Sequence, residues 1–104
     1  MTKYKNKRTK RDNLTFASKL EAKRYEELKL LLHEGKIRDL VLQPRFKLIV
    51  MGVLICTYVA DFQYFDLEKN EQVVEDAKGY RTREYRIKQK LVWAIYGIRI
   101  HEVV

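Results

Sequence analysis

The spacing of apolar residues predicts two amphipathic helices. The first begins at a capping box formed by residues 18 to 21, runs to Glu34 and stops at Gly35, a residue suited to the left-handed conformation that ends many helices. The second begins at the N-cap residue Thr82 and ends at Gly97. The stripes expected to face the core are Tyr25, Leu28 and Leu32 in the first helix, and Ile87, Leu91, Ala94 and Ile95 in the second.

The remainder of the packed chain has the composition of β-strands. Residues 37 to 43 predict a short strand or an extended connector, which Pro44 confines to a sheet edge or a break. Residues 46 to 60 are mostly apolar and predict a hairpin that leads into a long strand carrying Asp61, and residues 98 to 104 predict a last strand. The order of helix, three strands, helix and strand is typical of an α/β or α+β domain.

The hairpin predicted in residues 46 to 60 is apolar on both faces. Its only charged residue is Lys47, so both faces are expected to be covered. Helices can cover one face, and the other face requires an additional layer or a second copy of the chain. This surplus of apolar surface predicts a homodimer.

A second hairpin is predicted between residues 58 and 79, where two strands rich in β-branched and aromatic residues flank a polar run. A four-residue turn at 67 to 70 sets Asp61 opposite Asp76, on one face of the sheet and with Cβ atoms about 4.5–5.5 Å apart. Two carboxylates so close repel each other, whereas a divalent cation between them converts the repulsion into a binding site. Lys78 follows Asp76 by two residues and therefore shares that face.

Two alternatives to this acidic site stay open at the level of the sequence. A register shifted by one residue sets Glu75 opposite Asp61, and the lysine then lies on the wrong face. The hairpin could also be a solvated element with scattered surface charges. Apolar neighbours such as Val74 and Ala77 favour a functional role for the acids over scattered surface charges, because a charge in apolar surroundings is costly.

Glu21 is in line with the apolar stripe of the first helix rather than on its polar face. Two interpretations are compatible with that position and with each other. As a member of the capping box, Glu21 needs no further function. Alternatively, a helix packed on the sheet delivers Glu21 as a third carboxylate to the same metal cluster.

Length and composition limit the class of protein. A chain of 104 residues forms one domain, expected at residues 15 to 104. The single cysteine, Cys56, excludes an intrachain disulfide and favours a reducing, cytoplasmic setting. The basic N-terminus is not followed by an apolar segment of the signal-peptide type, and no apolar run reaches the about 18 residues of a membrane span.

The net charge of +8 is unevenly distributed. Residues 1 to 14 predict a flexible basic arm, and a second basic run follows the acidic hairpin. Such blocks suit a nucleic-acid backbone, although a solubilising role would produce the same pattern. Trp93 and Tyr96 are expected in the core rather than as stacking platforms for bases. The residues predicted to contact a nucleic-acid backbone are Lys3, Lys5, Lys7, Arg8, Lys10 and Arg11 in the arm, and Arg81, Arg83, Arg86, Lys88 and Lys90 after the hairpin.

Five segments of the chain resemble a known superfamily. In order they are SKLEAKRYEEL, QPRF, TYVADFQYF, VVEDAKG and YRIKQKL. They resemble the PD-(D/E)XK nucleases, and within them small phage-encoded endonucleases related to Holliday junction resolvases, over nearly the whole of residues 16 to 104. The resemblance implies a restriction-endonuclease-like core: a helix, an antiparallel hairpin with the acidic motif, a second helix and a further strand, in a mixed sheet flanked by helices.

The resemblance also implies roles for individual residues. Asp61 corresponds to the motif aspartate, Asp76 to the second acid and Lys78 to the motif lysine, which orients water or neutralises developing charge. Glu21 corresponds to the helix glutamate that completes the metal site. The Ala77 backbone carbonyl is a further candidate ligand for Mg²⁺ or Mn²⁺.

Two residues depart from the superfamily pattern. Ala60 occupies the position of the proline that gives the motif its name, and Asp76 is the shorter of the two permitted acids. Neither change removes a ligand, but the shorter side chain makes the metal spacing more sensitive to strand register.

The activity implied by the resemblance is hydrolysis of phosphodiester bonds by a metal-dependent, structure-selective DNA endonuclease. A four-way DNA junction has approximate two-fold symmetry and is resolved by two nicks, so one site per chain agrees with the predicted homodimer. The expectation is a phage Holliday junction resolvase in the cytoplasm of an infected bacterial host, with no organic cofactor. The alternatives are a nuclease of the same fold acting on other DNA intermediates and a non-catalytic nucleic-acid-binding module.

Overall fold

The computed structural model describes residues 9 to 77 and 81 to 103. Within these ranges the chain forms two helices and eight strands, which confirms the predicted α+β class. In chain order the elements are β1 (Thr9–Arg11), β2 (Leu14–Phe16), α1 (Lys19–His33), β3 (Ile37–Leu42), β4 (Arg45–Val50), β5 (Val53–Val59), β6 (Phe62–Asp66), β7 (Glu71–Ala77), α2 (Arg83–Tyr96) and β8 (His101–Val103).

A four-stranded sheet in the order β3-β6-β7-β8 forms the centre of the fold. β6 is antiparallel to β3 and β7, and β8 is parallel to β7, so the sheet is mixed, as expected. β3 is an edge strand, in agreement with the constraint expected from Pro44. β8 covers only residues 101 to 103 of the predicted last strand, and β1–β2 and β4–β5 form separate two-stranded sheets.

Both helices begin and end where the sequence predicts. The Ser18 hydroxyl accepts a hydrogen bond from the Glu21 amide at 3.2 Å, and the Thr82 hydroxyl accepts one from the Tyr85 amide at 3.0 Å. Gly97 caps α2 in the left-handed conformation, with φ of +69°. No helix in the described part of the chain is long and apolar enough to cross a membrane.

Two hydrophobic cores lie on opposite faces of the central sheet. Val73 and Val74 are consecutive in β7, so their side chains point to opposite faces. Val73 packs against the first core, which contains Leu28 of α1 and Phe62 of β6. Val74 belongs to the second core, which contains Val92 of α2. The helices therefore flank the sheet, as expected.

The inward faces of the helices agree only in part with the predicted stripes. Tyr25 and Leu28 of α1 are buried. In α2 the buried residues are Tyr85 and Val92. The Tyr85 ring packs on Tyr58 of β5, with ring centroids 6.3 Å apart, and this contact sets which side of α2 faces inward. The residues wrongly predicted to face the core are Leu32, Ile87 and Ala94.

The prediction of one long strand carrying Asp61 is wrong. β5 ends at Val59, and Ala60 and Asp61 form a break before β6 begins. The Ala60 amide donates to the Pro44 carbonyl at 3.1 Å, and the Gln43 amide donates to the Asp61 carbonyl at 2.9 Å. These bonds fix the point where the chain passes from the β4–β5 hairpin into the central sheet.

The last residues of the predicted basic arm form an ordered hairpin, so the prediction of a flexible chain up to residue 14 is wrong for these residues. β1 pairs with β2, and the intervening Asp12 accepts hydrogen bonds from the Tyr25 hydroxyl at 3.1 Å and from the Lys29 ammonium group. Both bonds hold the pKa of Asp12 below its ordinary value. The arm residues Lys3, Lys5, Lys7 and Arg8 lie outside the described residues.

Candidate functional site

The β6–β7 hairpin adopts the predicted register. The turn spans residues 67 to 70, and Phe62 pairs with Glu75 at the far end of the ladder. Continuing this register by one position brings Asp61 to Asp76. The alternative with Glu75 opposite Asp61 is therefore wrong, although the Asp61 amide donates to the Glu75 carbonyl at 3.1 Å, where the regular ladder stops.

The half-buried Asp61 side chain is tied to the end of β7. Its Oδ2 atom accepts a hydrogen bond from the Ala77 amide at 2.7 Å. Ala77 directly follows Asp76 and precedes Lys78, which lies outside the described residues. The Asp61 carboxylate is thus held beside the last residue of β7, which directly follows Asp76.

Asp76 is fully buried on the face of the sheet that α2 covers. Its carboxylate accepts a hydrogen bond from the Tyr58 hydroxyl of β5. Such a bond is needed because a buried carboxylate without hydrogen bonds is costly. Sequence reasoning missed Tyr58, although its place two residues before the buried Ala60 indicates an inward side chain.

A further acid, Glu102, is the lateral neighbour of Asp76 in the parallel β7–β8 pairing. Its Oε1 atom lies 2.7 Å from Nη2 of Arg81, so this predicted DNA contact is engaged in an ion pair. Burial is the main cause that raises the pKa of Tyr85, and the carboxylates of Glu102 and Asp76 act in the same direction. Sequence reasoning also missed Glu102, because the β7–β8 register depends on the intervening helix.

Glu75 points to the opposite face of the sheet and holds α1. Both its carboxylate oxygens accept hydrogen bonds from Arg24, and the Tyr64 hydroxyl donates to it as well. The Glu75 carboxylate raises the pKa of Arg24, while burial and then this hydrogen bond raise the pKa of Tyr64. The two consecutive acids of β7 therefore have separate partners on separate faces.

Glu21 is buried in α1, on the opposite side of the sheet from the Asp76 side chain. It borders a cavity of about 190 Å³ together with Gln43, whose amide donates to the Asp61 carbonyl. Glu21 thus lies near the Asp61 end of the sheet. Across residues 9 to 77 and 81 to 103, no group of three or more His, Cys, Asp or Glu side chains could hold a metal ion, so the expected three-carboxylate cluster is not gathered there.

A comparison with protein families identifies the group to which the chain belongs. A family model described as "Protein of unknown function (DUF1064)" matches residues 1 to 103. The chain belongs to the DUF1064 family. No curated protein and no solved structure matches this DUF1064 chain. Its function therefore rests on its residues and their geometry.

The predicted cationic face of α2 is exposed in the DUF1064 chain. Arg83, Arg86 and Lys90 follow one another at spacings of three and four residues, and all three are exposed. Lys88 is partly buried, and Lys10 in β1 is exposed. The side chain of Arg11 lies outside the described residues.

The expectation that Trp93 and Tyr96 belong to the core is wrong. Trp93 is 52% exposed and Tyr96 is 45% exposed. The Tyr96 ring packs edge-on against Phe46, and its hydroxyl donates to the Lys47 carbonyl at 2.7 Å. The guanidinium of Arg99 lies 4.9 Å from the centre of the Trp93 ring. Neither side chain is enclosed, because the inward face of α2 is centred on Tyr85 and Val92.

Proposed function

We propose that this DUF1064 protein is a metal-dependent, structure-selective DNA endonuclease, in the first instance a phage Holliday junction resolvase. The observation that carries the proposal is the hairpin register: its last pair, Phe62 with Glu75, is directly followed by Asp61 and Asp76, and the Asp61 carboxylate accepts from the Ala77 amide. The five segments that resemble PD-(D/E)XK nucleases support it, as do the two helices flanking a mixed sheet.

The donor set suits Mg²⁺ or Mn²⁺. Asp61 and Asp76 offer carboxylate oxygens, which these hard ions prefer, and Mg²⁺ is commonly bound by one or two carboxylates together with water and substrate phosphate. Two carboxylates therefore fit the ion without a third protein ligand. The Ala77 carbonyl is the remaining candidate ligand, because Glu21 lies on the opposite side of the sheet from the Asp76 side chain. When bound, the ion would polarise the phosphoryl group and activate water.

The surrounding residues would orient these ligands. Tyr58 directs a hydroxyl at the Asp76 carboxylate, and the Ala77 amide holds the Asp61 carboxylate. Such outer partners fix ligand orientation in metal sites. Lys78 would neutralise negative charge that develops on the phosphate or orient the attacking water.

The exposed cations of α2 would bind the DNA backbone. The ring of Tyr85, in the first turn of α2, packs on Tyr58, whose hydroxyl donates to Asp76. Phosphates bound at Arg83 and Arg86 would therefore lie next to the acidic pair. Contacts of this kind give salt-dependent affinity with little base specificity.

The homodimer proposal gains support from the β4–β5 hairpin. One face of the hairpin contributes Leu48 and Tyr58 to the second core. Near the turn, the side chains of Val53, Leu54 and Ile55 are each more than half exposed. A second copy of the chain would cover them and supply the second nick. The resemblance to phage endonucleases and the single cysteine support a location in the cytoplasm of an infected host.

One observation favours a non-catalytic DNA-binding module instead. Asp76 is 0% exposed, so an ion and its bound water would have to reach a carboxylate that protein atoms cover. A binding module would keep the exposed cations and need no access to Asp76. The same fold could also act on other DNA intermediates.

A cleavage assay separates these three functions. The protein is incubated with a synthetic four-way junction, a matched linear duplex and a single strand, each with Mg²⁺, Mn²⁺ or a chelator. A resolvase makes paired nicks in the junction and requires the metal. Binding without cleavage favours the module, and equal cleavage of junction and duplex favours the other nuclease.

A matched pair of variants tests the site itself. Asp61→Asn is expected to abolish cleavage while DNA binding is preserved or improved, because a negative charge is removed. Glu68→Gln makes the same chemical change at an exposed residue of the hairpin turn and should leave cleavage intact. Normal cleavage by Asp61→Asn would show that the site assignment is wrong.

A further inference from the structure

Trp93 is the single tryptophan of the chain and is unusually open for so large a side chain. It lies in the last turn of α2, with the Arg99 guanidinium 4.9 Å from its ring centre. This arrangement is a cation–π contact on the surface. The indole therefore presents a π-surface together with a positive charge.

The indole borders a small cavity of suitable chemistry. The cavity measures about 190 Å³, well below the roughly 300–1,000 Å³ of sites for drug-sized ligands, so it suits a single planar group. Aliphatic side chains, an amide and two cations line it, and none of these described residues is acidic. They are Gln89, Lys90, Trp93, Ile98, Arg99 and Ile100.

A larger cavity of about 580 Å³ shares Trp93 and Arg99 but has a different charge balance. Its wall includes Lys69 together with the acids Asp66 and Glu71. Those carboxylates would repel a phosphate. The smaller cavity is therefore the better site for an anionic ligand with an aromatic ring.

Trp93 also continues the cationic face of α2. Arg83, Arg86, Lys90 and Trp93 are spaced by three, four and three residues, so they follow one side of the helix, and all four are exposed. Tyr85, which packs on the Asp76 partner Tyr58, precedes Trp93 by eight residues, or about 12 Å along the helix axis. That length equals about three to four nucleotide steps of 3.4 Å.

We propose that the cavity beside Trp93 receives an unpaired base of single-stranded DNA, with the flanking phosphates bound by Lys90 and Arg99. Aromatic side chains stack on any base whose face is accessible, and in an intact duplex those faces are covered by neighbouring base pairs. The site thus recognises the unpaired nucleotides of a branched substrate. The inference rests on the DNA-binding part of the proposed function and not on cleavage.

The tryptophan supplies its own probe for this site. The full-length Asp61→Asn variant is titrated in chelator with a short oligothymidylate and, separately, with a matched duplex, and binding is followed by anisotropy of labelled DNA. The single strand is expected to quench Trp93 emission strongly, and the duplex is expected to quench it little. Unchanged emission on saturation with the single strand would overturn the proposal. Because no cleavage is measured, this result is independent of whether the protein is a nuclease.

Substitutions test the contribution of stacking to affinity. Trp93→Ala is expected to weaken single-strand binding about tenfold and to leave duplex binding nearly unchanged, whereas Trp93→Phe retains most of the affinity. Ile87→Ala is the matched control, since Ile87 is also an exposed apolar residue of α2, at 54%. Arg99→Gln should lower the slope of log affinity against log salt by about one, the share of a single phosphate contact. This variant tests the proposal if Trp93→Ala does not fold. Equal losses for single strand and duplex, or a change of oligomeric state without loss of single-strand affinity, would overturn the proposal.

Discussion

The guanidinium of Arg24 forms two parallel hydrogen bonds with the carboxylate of Glu75, at 2.8 Å from Nε to Oε1 and at 2.7 Å from Nη2 to Oε2. Glu75 is fully buried, and the side chain of Arg24 is 20% exposed. The pair joins α1 to β7 one residue before Asp76. Tyr64 adds a third donor, so this buried carboxylate is well satisfied.

Arg24→Ala is expected to lower the free energy of unfolding by about 3–5 kcal/mol, because it leaves Glu75 as an uncompensated buried charge. Urea denaturation measures the effect. Glu27→Ala removes the other ion-pair partner of Arg24, at 3.2 Å on the surface, and should cost no more than about 1 kcal/mol. Similar small losses in both variants would show that the buried pair does not anchor α1.

The raised pKa of Tyr64 predicts a loss of stability in alkali. Burial and the hydrogen bond to Glu75 raise its pKa above the ordinary value of 10.0, so the folded state favours the protonated phenol. The resulting stabilisation is complete below pH 10.0 and is lost as the pH rises above that value towards the folded-state pKa. Tyr64→Phe should therefore destabilise the protein by a constant amount near neutral pH and by a shrinking amount in alkali. Urea denaturation across this range measures the difference, and a difference that stays constant in alkali would contradict the assignment.

Some of these relationships follow from the sequence. The hairpin register was predictable because a four-residue turn and strict alternation of faces leave little freedom. The helix ends were predictable because Ser18, Thr82 and Gly97 act through local backbone bonds. These features depend on residues close together in the chain.

Other relationships depend on tertiary packing. Tyr58 and Asp76 are 18 residues apart, and Arg24 and Glu75 are 51 apart, so no local pattern encodes either bond. The break at Ala60 and Asp61 has no glycine or proline to signal it, so the sequence predicts an uninterrupted strand there. The sequence predicts a core position for Trp93, because hydrophobicity alone does not indicate which side of a helix will be covered.

Tyr58→Phe tests the role of Tyr58 in the proposed metal site. Loss of the hydroxyl removes the hydrogen bond that orients the Asp76 carboxylate, and outer partners of metal ligands typically contribute about 10- to 100-fold to activity or metal affinity. We expect a loss of this size in cleavage rate, with a higher Mg²⁺ concentration needed for half-maximal rate. Tyr96→Phe makes the same change at an exposed hydroxyl bonded to Lys47 and should have no such effect. An equal loss of cleavage rate in both variants would show that the hydroxyls stabilise the fold and that Tyr58 has no specific role in the metal site.

Ile55→Lys tests the proposed dimer surface. Ile55 is 55% exposed in the β4–β5 hairpin, so a lysine there costs the monomer little but would bury a charge in the interface. We expect the variant to sediment as a monomer and still to unfold in one cooperative thermal transition, as a folded domain does. Leu67→Lys places the same charge in the β6–β7 turn, at a residue that is 46% exposed, and should stay dimeric. A wild-type chain that sediments as a monomer would exclude the dimer.

Deletion of residues 2 to 8 tests the basic arm without disturbing β1. The deletion removes Lys3, Lys5, Lys7 and Arg8, so up to four phosphate contacts are lost. For duplex DNA the slope of log affinity against log salt should fall in magnitude by up to about 3–4, because each contact releases close to one counterion. Anisotropy titrations at several salt concentrations measure the slope. Replacing Lys10 by Gln in the full-length chain is the matched control and should change the slope by no more than about one. An unchanged slope after the deletion would show that the arm does not contact DNA, and the exposed face of α2 would then account for the electrostatic binding.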